Sequence, residues 1–211
     1  MKTDDLIRAL AADTARPRDL RATLMLGLLP SLAIAVLAVW LVLGFRADLA
    51  GALVTPVSAA RIVLTGVLGI AATRLALILA RPEGAQTARF WPLAAVAVAA
   101  LGLLGWAYVM TPEDARQMAT VGKTITTCLV TIPLLSVLPV AVLHHVLRQG
   151  ATTAPARAGF VAGLAGSGLS AAIYALHCTE DSPLFYVTWY GLAIMGVTLV
   201  STLIGARGLR W

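Results

Sequence analysis

A chain of 211 residues, 59% hydrophobic and only 12% charged, carries about half the charged residues of an ordinary soluble domain. That excludes a soluble globule of this size, and the absence of alternation at strand period excludes a membrane β-barrel. The formal net charge of +6 is spread over loops and ends, so an excess of cations on one side of a membrane explains it better than nucleic acid does.

The first element lies in the leader MKTDDLIRALAADTARPRDLR. Thr3 is placed to cap a helix, with Asp4 and Asp5 in its first turn where the helix dipole favours negative charge. Leu6, Ile7 and Leu10 then share one face, and Pro17 ends the pattern. A helix of about three turns is too short to be stable alone in water. Acids on its polar face disfavour an anionic membrane surface, leaving docking in a partner's groove or a solvated leader.

Six apolar runs follow, at about 22–45, 62–80, 90–110, 124–147, 158–177 and 184–206, each long enough to cross about 30 Å of hydrocarbon as a helix. The expected fold is an all-α integral membrane protein. Residues 1–21 form a cytoplasmic tail with a short amphipathic helix, and residues 22–211 a six-helix transmembrane bundle. Lys2, Arg8, Arg16, Arg18, Arg21, Arg81, Arg89, Arg148, Arg157, Arg207 and Arg210 fall on the side of the termini. Arg46, Arg61, Arg116 and Lys123 fall on the other. This bias puts both termini in the cytoplasm. Arg74 is the one cation at any depth, close enough to the cytoplasmic end to snorkel. Trp40, Trp106, Tyr108, Tyr174, Tyr186, Trp189 and Tyr190 lie near outer helix ends and Trp91 near an inner one, as an interfacial belt would. His144 and His145 mark the inner end of the fourth run.

The fourth run also contains Pro133 and Pro139, each able to kink it. The fifth is rich in small residues. Gly159 with Gly163, and Gly166 with Ser170, have the spacing that lets helix backbones approach closely, for ordinary packing or a mobile joint.

The two cysteines are Cys128, about one turn into the fourth run, and Cys178, at the end of the fifth. They are not a C-x-x-C pair, which excludes a thioredoxin-type dithiol. The topology places both on the outer face, which in a bacterium is the oxidising periplasm. Cys178 lies in an acidic, exposed turn beside His177, Glu180 and Asp181. Cys128, His177 and Cys178 are ligand types for a thiophilic metal ion. Burial as a small apolar side chain is the plainer reading of Cys128. In TEDSP, Thr179 to Ser182 followed by Pro183 reads as a helix start, which accounts for Glu180 and Asp181 without a metal.

Four stretches in order, MKTDDLIRALAAD, TCLVTIPLLS, HCTEDSPLFYVTWY and RGLRW, resemble the NrsF-type membrane anti-sigma factors of proteobacteria over the whole chain. The resemblance implies a non-enzymatic regulator in the bacterial inner membrane. It would hold an extracytoplasmic-function sigma factor inactive and release it under heavy-metal or oxidative stress. Cys128 and Cys178 would be the sensor pair, and the tail residues Asp4, Asp5, Leu6, Ile7 and Leu10 the sigma-binding element. No resident cofactor and no direct nucleic-acid contact are implied, only a transient thiophilic metal ion. A membrane thiol oxidoreductase is the alternative, but it normally needs two exchanging cysteine pairs. A small transporter is another, but it normally buries charges near the midplane.

Overall fold

The computed structural model describes Thr3, Ile7 and residues 19–209. Among these residues the chain is helical and contains no strand. The helices are α1 (Leu20–Ala38), α2 (Leu49–Val54), α3 (Pro56–Leu79), α4 (Gly84–Thr87), α5 (Trp91–Met110), α6 (Glu113–Val121), α7 (Ile125–Gln149), α8 (Pro155–Tyr174) and α9 (Pro183–Gly208). Six spans are long and apolar enough to cross a membrane: Leu20–Leu43, Pro56–Leu79, Trp91–Met110, the α7 part of Glu113–Gln149, Pro155–Tyr174 and Pro183–Gly208. Of the expected tail contacts, Ile7 is helical and exposed. Asp4, Asp5, Leu6 and Leu10 lie outside the described residues.

Local chemistry sets the helix ends. Asp19 caps α1 by accepting a hydrogen bond from the Arg21 amide at 2.9 Å. Helices α3, α5, α8 and α9 each carry proline in their first turn, where the missing N–H has no partner to lose. Helix α1 ends in a wider π turn, Val39–Leu43, stopped by Gly44 at φ 77°, a conformation glycine adopts without steric cost.

The bundle is built around α8, which packs against α9, α3 and α7. The reason is the small-residue stripe. A methyl group on Gly159 would lie 2.9 Å from the Gly205 Cα, and one on Gly163 would lie 2.6 Å from the Thr198 Cα. Gly166 meets Val140 on α7, and Gly168 meets Gly69 on α3. Absent side chains let three neighbours close on one axis, as small residues do between membrane helices. Several buried hydroxyls do not disturb this packing, because they return to their own helix. Thr65, Thr73, Ser136, Ser167 and Thr198 each donate to the carbonyl four residues back at 2.6–2.7 Å. Helix α5 is peripheral; only Leu93 and Ala107 are buried in it.

The six spans therefore fall where hydropathy puts them, but several details differ. The second span begins at Pro56, not near residue 62. Arg61 is accordingly not a loop cation: it lies inside α3 and is 1% exposed. Arg74 is exposed. The connection between the third and fourth apolar runs folds into α6, with Glu113 and Asp114 in its first turn. His144, near the inner end of α7, is buried, and its Nε2 lies 2.9 Å from the Ser201 Oγ. Ser201 spends its own proton on the Gly159 carbonyl at 2.7 Å, so His144 must be the donor to Ser201, carrying its hydrogen on Nε2. This chain joins α7, α9 and α8 at the end of the bundle opposite the cysteines.

Candidate functional site at the cysteine end

Cys128 sits in the first turn of α7, and Cys178 lies just beyond α8, in the connection to α9. Both are free thiols in the apolar core, 0% and 1% exposed. The expected exposed turn around Cys178 is thus a buried one. Its amide closes the end of α8 by donating to the Tyr174 carbonyl at 3.2 Å. The segment after α1 folds over it: the Arg46 amide donates to the Leu176 carbonyl at 3.1 Å, and His177 Nδ1 lies 2.8 Å from the Gly44 carbonyl oxygen.

Both thiols belong to the same buried apolar cluster as Tyr174 and Tyr190. Sequence separation of 50 is thereby erased: α7 and α8 run antiparallel and deliver both cysteines to one layer. The rings of Tyr174 and Tyr190 pack at 5.6 Å between centroids, tilted by 55°, and Tyr174 meets His177 at 5.9 Å. The Tyr174 hydroxyl has no hydrogen-bond partner. Tyr174, Tyr186 and Tyr190 are core residues and not an interfacial belt, whereas Trp40, Trp91, Trp106 and Tyr108 are exposed. Tyr186 instead donates to the Val57 carbonyl at 3.0 Å, and Trp189 to the Thr120 carbonyl at 2.7 Å.

Above the thiols lies an ion cluster that composition alone does not announce. Arg46 holds Asp48 with two short hydrogen bonds of 2.7 Å. It holds Asp181 with two more, at 2.8 and 2.9 Å. A fifth, at 3.2 Å, reaches the Cys178 carbonyl. Arg61 pairs with Asp181 at 3.2 Å and donates to the Glu180 carbonyl at 2.8 Å. The Glu180 carboxylate accepts from the Lys123 amide at 2.7 Å. Glu180 and Asp181 therefore do not cap α9. Ser182 is the N-cap residue, without a side-chain bond, and Pro183 follows as expected. The Arg46 hydrogen bonds hold the carboxyls of Asp48 and Asp181 below the usual carboxylate range, and both carboxylates raise Arg46 above the ordinary arginine value.

The sequence did carry a signal for this cluster. Thr55 followed by Pro56 is a helix start, which places Arg61 inside the helix, and a cation within such a segment calls for a partner.

The arrangement clamps Cys178 from its backbone, through Arg46, while an aromatic layer shields both sulfurs. It does not assemble Cys128, His177 and Cys178 into a metal centre. Among the described residues, no group of three or more His, Cys, Asp or Glu is placed to hold a metal ion. His177 has its Nδ1 against the Gly44 carbonyl and its ring against Tyr174.

Comparison with known proteins agrees with the sequence motifs. The family described as "Negative regulator of sigma F" (NrsF) matches residues 9–211. An anti-sigma-F factor NrsF of Caulobacter vibrioides is 34% identical, with 100% of both chains covered. A probable anti-sigma-F factor NrsF of Azospira oryzae is 32% identical, again over 100% of both. No solved structure matches. A match across nearly the whole chain, with both cysteines and their surrounding layer inside it, makes this protein a member of the NrsF family of negative regulators of sigma F.

Proposed function

We propose that this protein is a membrane-bound anti-sigma factor that holds an extracytoplasmic-function sigma factor and releases it when Cys128 and Cys178 meet heavy metal or oxidant. The observation that carries the reading is the full-length family match. Burial of the two cysteines in one layer at one end of the bundle adds to it. The six long apolar helices, with apolar side chains such as Leu26, Leu41, Val98 and Leu199 exposed around them, support insertion in the bacterial inner membrane. The cation bias supports cytoplasmic termini.

On this reading the tail, with the apolar face Leu6, Ile7 and Leu10 and the acids Asp4 and Asp5, docks on the sigma factor. The stimulus acts at the opposite end. Because both sulfurs are buried, the cysteine layer must open before a reagent from water reaches them. Closing a disulfide, or sharing a thiophilic metal between the two sulfurs, then moves α7 relative to the α8–α9 connection. His177 can keep its Nδ1 on Gly44, which leaves Nε2 as the ring nitrogen that would ligate. For release, the stimulus must favour the released state by a few kcal/mol, and a disulfide or a metal–thiolate site supplies that much. No catalytic turnover is involved.

The test is co-purification of the sigma factor with the detergent-solubilised protein from cells with and without cadmium or diamide. The wild type should retain the sigma factor at rest and lose most of it under stress. Cys128→Ser and Cys178→Ser should retain it in both conditions. Absence of a bound sigma factor at rest overturns the anti-sigma reading. Normal release from both single variants overturns only the cysteine mechanism.

A further inference from the structure

The cysteine layer is walled unevenly. On one side stand Arg46 and Arg61, 7% and 1% exposed. They grip Asp181 and the carbonyls of Cys178 and Glu180 with several short bonds. Toward the middle of the bundle the layer continues into packed core, with Ile132, Tyr174 and Tyr190 in the same buried cluster as the thiols. The third wall is the corner where α6 turns into α7, and it is held differently. None of the residues of α6 is buried. Two side-chain hydrogen bonds tie this corner to the Cys178 connection and to α9. The Glu180 carboxylate accepts from the Lys123 amide at 2.7 Å, and the Trp189 Nε1–H donates to the Thr120 carbonyl at 2.7 Å. Between these two ties Gly122, at φ 59°, lies against the Phe185 ring. A Cβ on it would sit 2.6 Å from that ring and 3.0 Å from the Glu180 Cδ. Phe185 is itself buried in the cluster that holds both thiols.

We propose that the α6–α7 corner is the lid of the cysteine layer, latched by Glu180 and Trp189, and that its lifting is the step that admits a reagent from water to Cys128 and Cys178. Position along the chain carries the argument first. Lys123 lies five residues before Cys128 and Glu180 two after Cys178. The Glu180 bond therefore closes a ring through the two cysteine-bearing segments, and breaking it parts them on their outer side. Energetics carry it second. Lifting α6 uncovers no buried residue of that helix, and the Lys123–Glu180 bond is exposed. Opening the opposite wall means separating buried guanidinium groups from their carboxylate, which is far more costly. Segments that open locally come from the least buried part of a structure. The lid also has a pivot and a hinge. Its far end stays anchored, because Arg116 Nε donates to the Thr111 carbonyl at 3.0 Å. Gly122, in a backbone conformation that suits glycine, is the joint between α6 and α7.

The inference deepens the proposed cysteine response and rests on it for its purpose, but its test needs no sigma factor. The full chain in phosphatidylcholine nanodiscs is treated with an anionic, membrane-impermeant maleimide, and adducts on Cys128 and Cys178 are followed by peptide mass spectrometry. Labelling tracks the open population when reclosing outpaces the reagent. Glu180→Ala and Trp189→Phe should each label both cysteines about fivefold faster than the wild type, the usual worth of one hydrogen bond. Glu180→Gln keeps an acceptor for the Lys123 amide and should stay within about twofold of the wild type. Ser201→Ala, which loosens the opposite end of the bundle, should label at the wild-type rate. A wild-type rate in either Glu180→Ala or Trp189→Phe overturns the lid. So does equal acceleration in Ser201→Ala, which would make the opening a general loosening of the bundle. Failure of the anti-sigma reading, seen as no sigma factor bound at rest, leaves these rates unchanged.

Discussion

Asp181 is the residue on which the cysteine end turns. Among the described residues it is the one carboxylate shared by two buried guanidinium groups, at 2.8 Å from Arg46 and 3.2 Å from Arg61. Replacing it leaves Asp48 to face two cations. Breaking a fully buried pair costs about 3–5 kcal/mol, and partial exposure of this carboxylate brings the expectation for Asp181→Asn to about 2 kcal/mol. Thermal unfolding of the solubilised protein, followed by circular dichroism, should show the loss. The pH dependence has a definite sign. The Asp181 carboxyl is held below its ordinary value of 3.8 by Arg46 first, then by Ser58 and Arg61. Its contribution is complete above that value and disappears as pH falls through the lower folded-state value. Acidification from pH 5 to pH 3 should therefore lower the midpoint of the wild type more steeply than that of Asp181→Asn. The cluster was hard to read from sequence for a physical reason. Arg61 bonds the Glu180 carbonyl across 119 residues of chain, and hydropathy is a local average that sees only the apolar residues after Arg61.

At the scale of elements, the stripe on α8 was legible and its partners were not. Gly159 and Gly163 have small-xxx-small spacing in any reading of the sequence. That they face α9, that Gly166 faces α7 and that Gly168 faces α3 depends on how helices from distant parts of the chain assemble. The stripe explains why α8 is the buried centre although it is no more apolar than its neighbours. Its tolerance of substitution should be poor. A Cβ on Gly163 would lie 2.6 Å from the Thr198 Cα and 2.9 Å from the Ser201 Cβ, while one on Gly102 of α5 meets nothing within 4 Å. Gly163→Ala should destabilise by about 1–3 kcal/mol through overpacking. Gly102→Ala should be neutral or stabilise by up to about 1 kcal/mol through helix propensity. The pair, measured by the same thermal unfolding, separates close packing from the general effect of removing glycine. The amphipathic α6 was missed for a related reason. Its segment is too polar for a membrane span, and its short helix is tied down by long-range contacts such as Trp189 with Thr120.

Across the whole molecule, the proposed function asks how an event at the cysteines would reach the end that carries the termini. Helix α7 spans the gap. About 24 Å of helix separates Cys128 from His144 at about 1.5 Å per residue. At its far end His144 donates to Ser201 on α9, and Ser201 donates to Gly159 on α8. Thus α7, α8 and α9 are joined twice: by the cysteine and tyrosine layer at one end, and by this hydrogen-bonded chain at the other. A displacement of α7 started at Cys128 must either carry His144 with it or break that junction. Two buried hydrogen bonds contribute about 1–3 kcal/mol together, comparable with the few kcal/mol a stimulus must supply to shift the population. The junction is strong enough to transmit a movement and weak enough to yield to one. Ser201→Ala removes both bonds without adding volume. It should keep the sigma factor bound at rest, yet lower the stress-induced rise of a sigma-dependent reporter several-fold, because α7 then moves without α8 and α9. On the proposed function Cys128→Ser loses the response at its origin, so adding Ser201→Ala to it should change nothing further. Wild-type induction in Ser201→Ala, at equal protein level, would mean that the signal travels by a route that bypasses this end of α7.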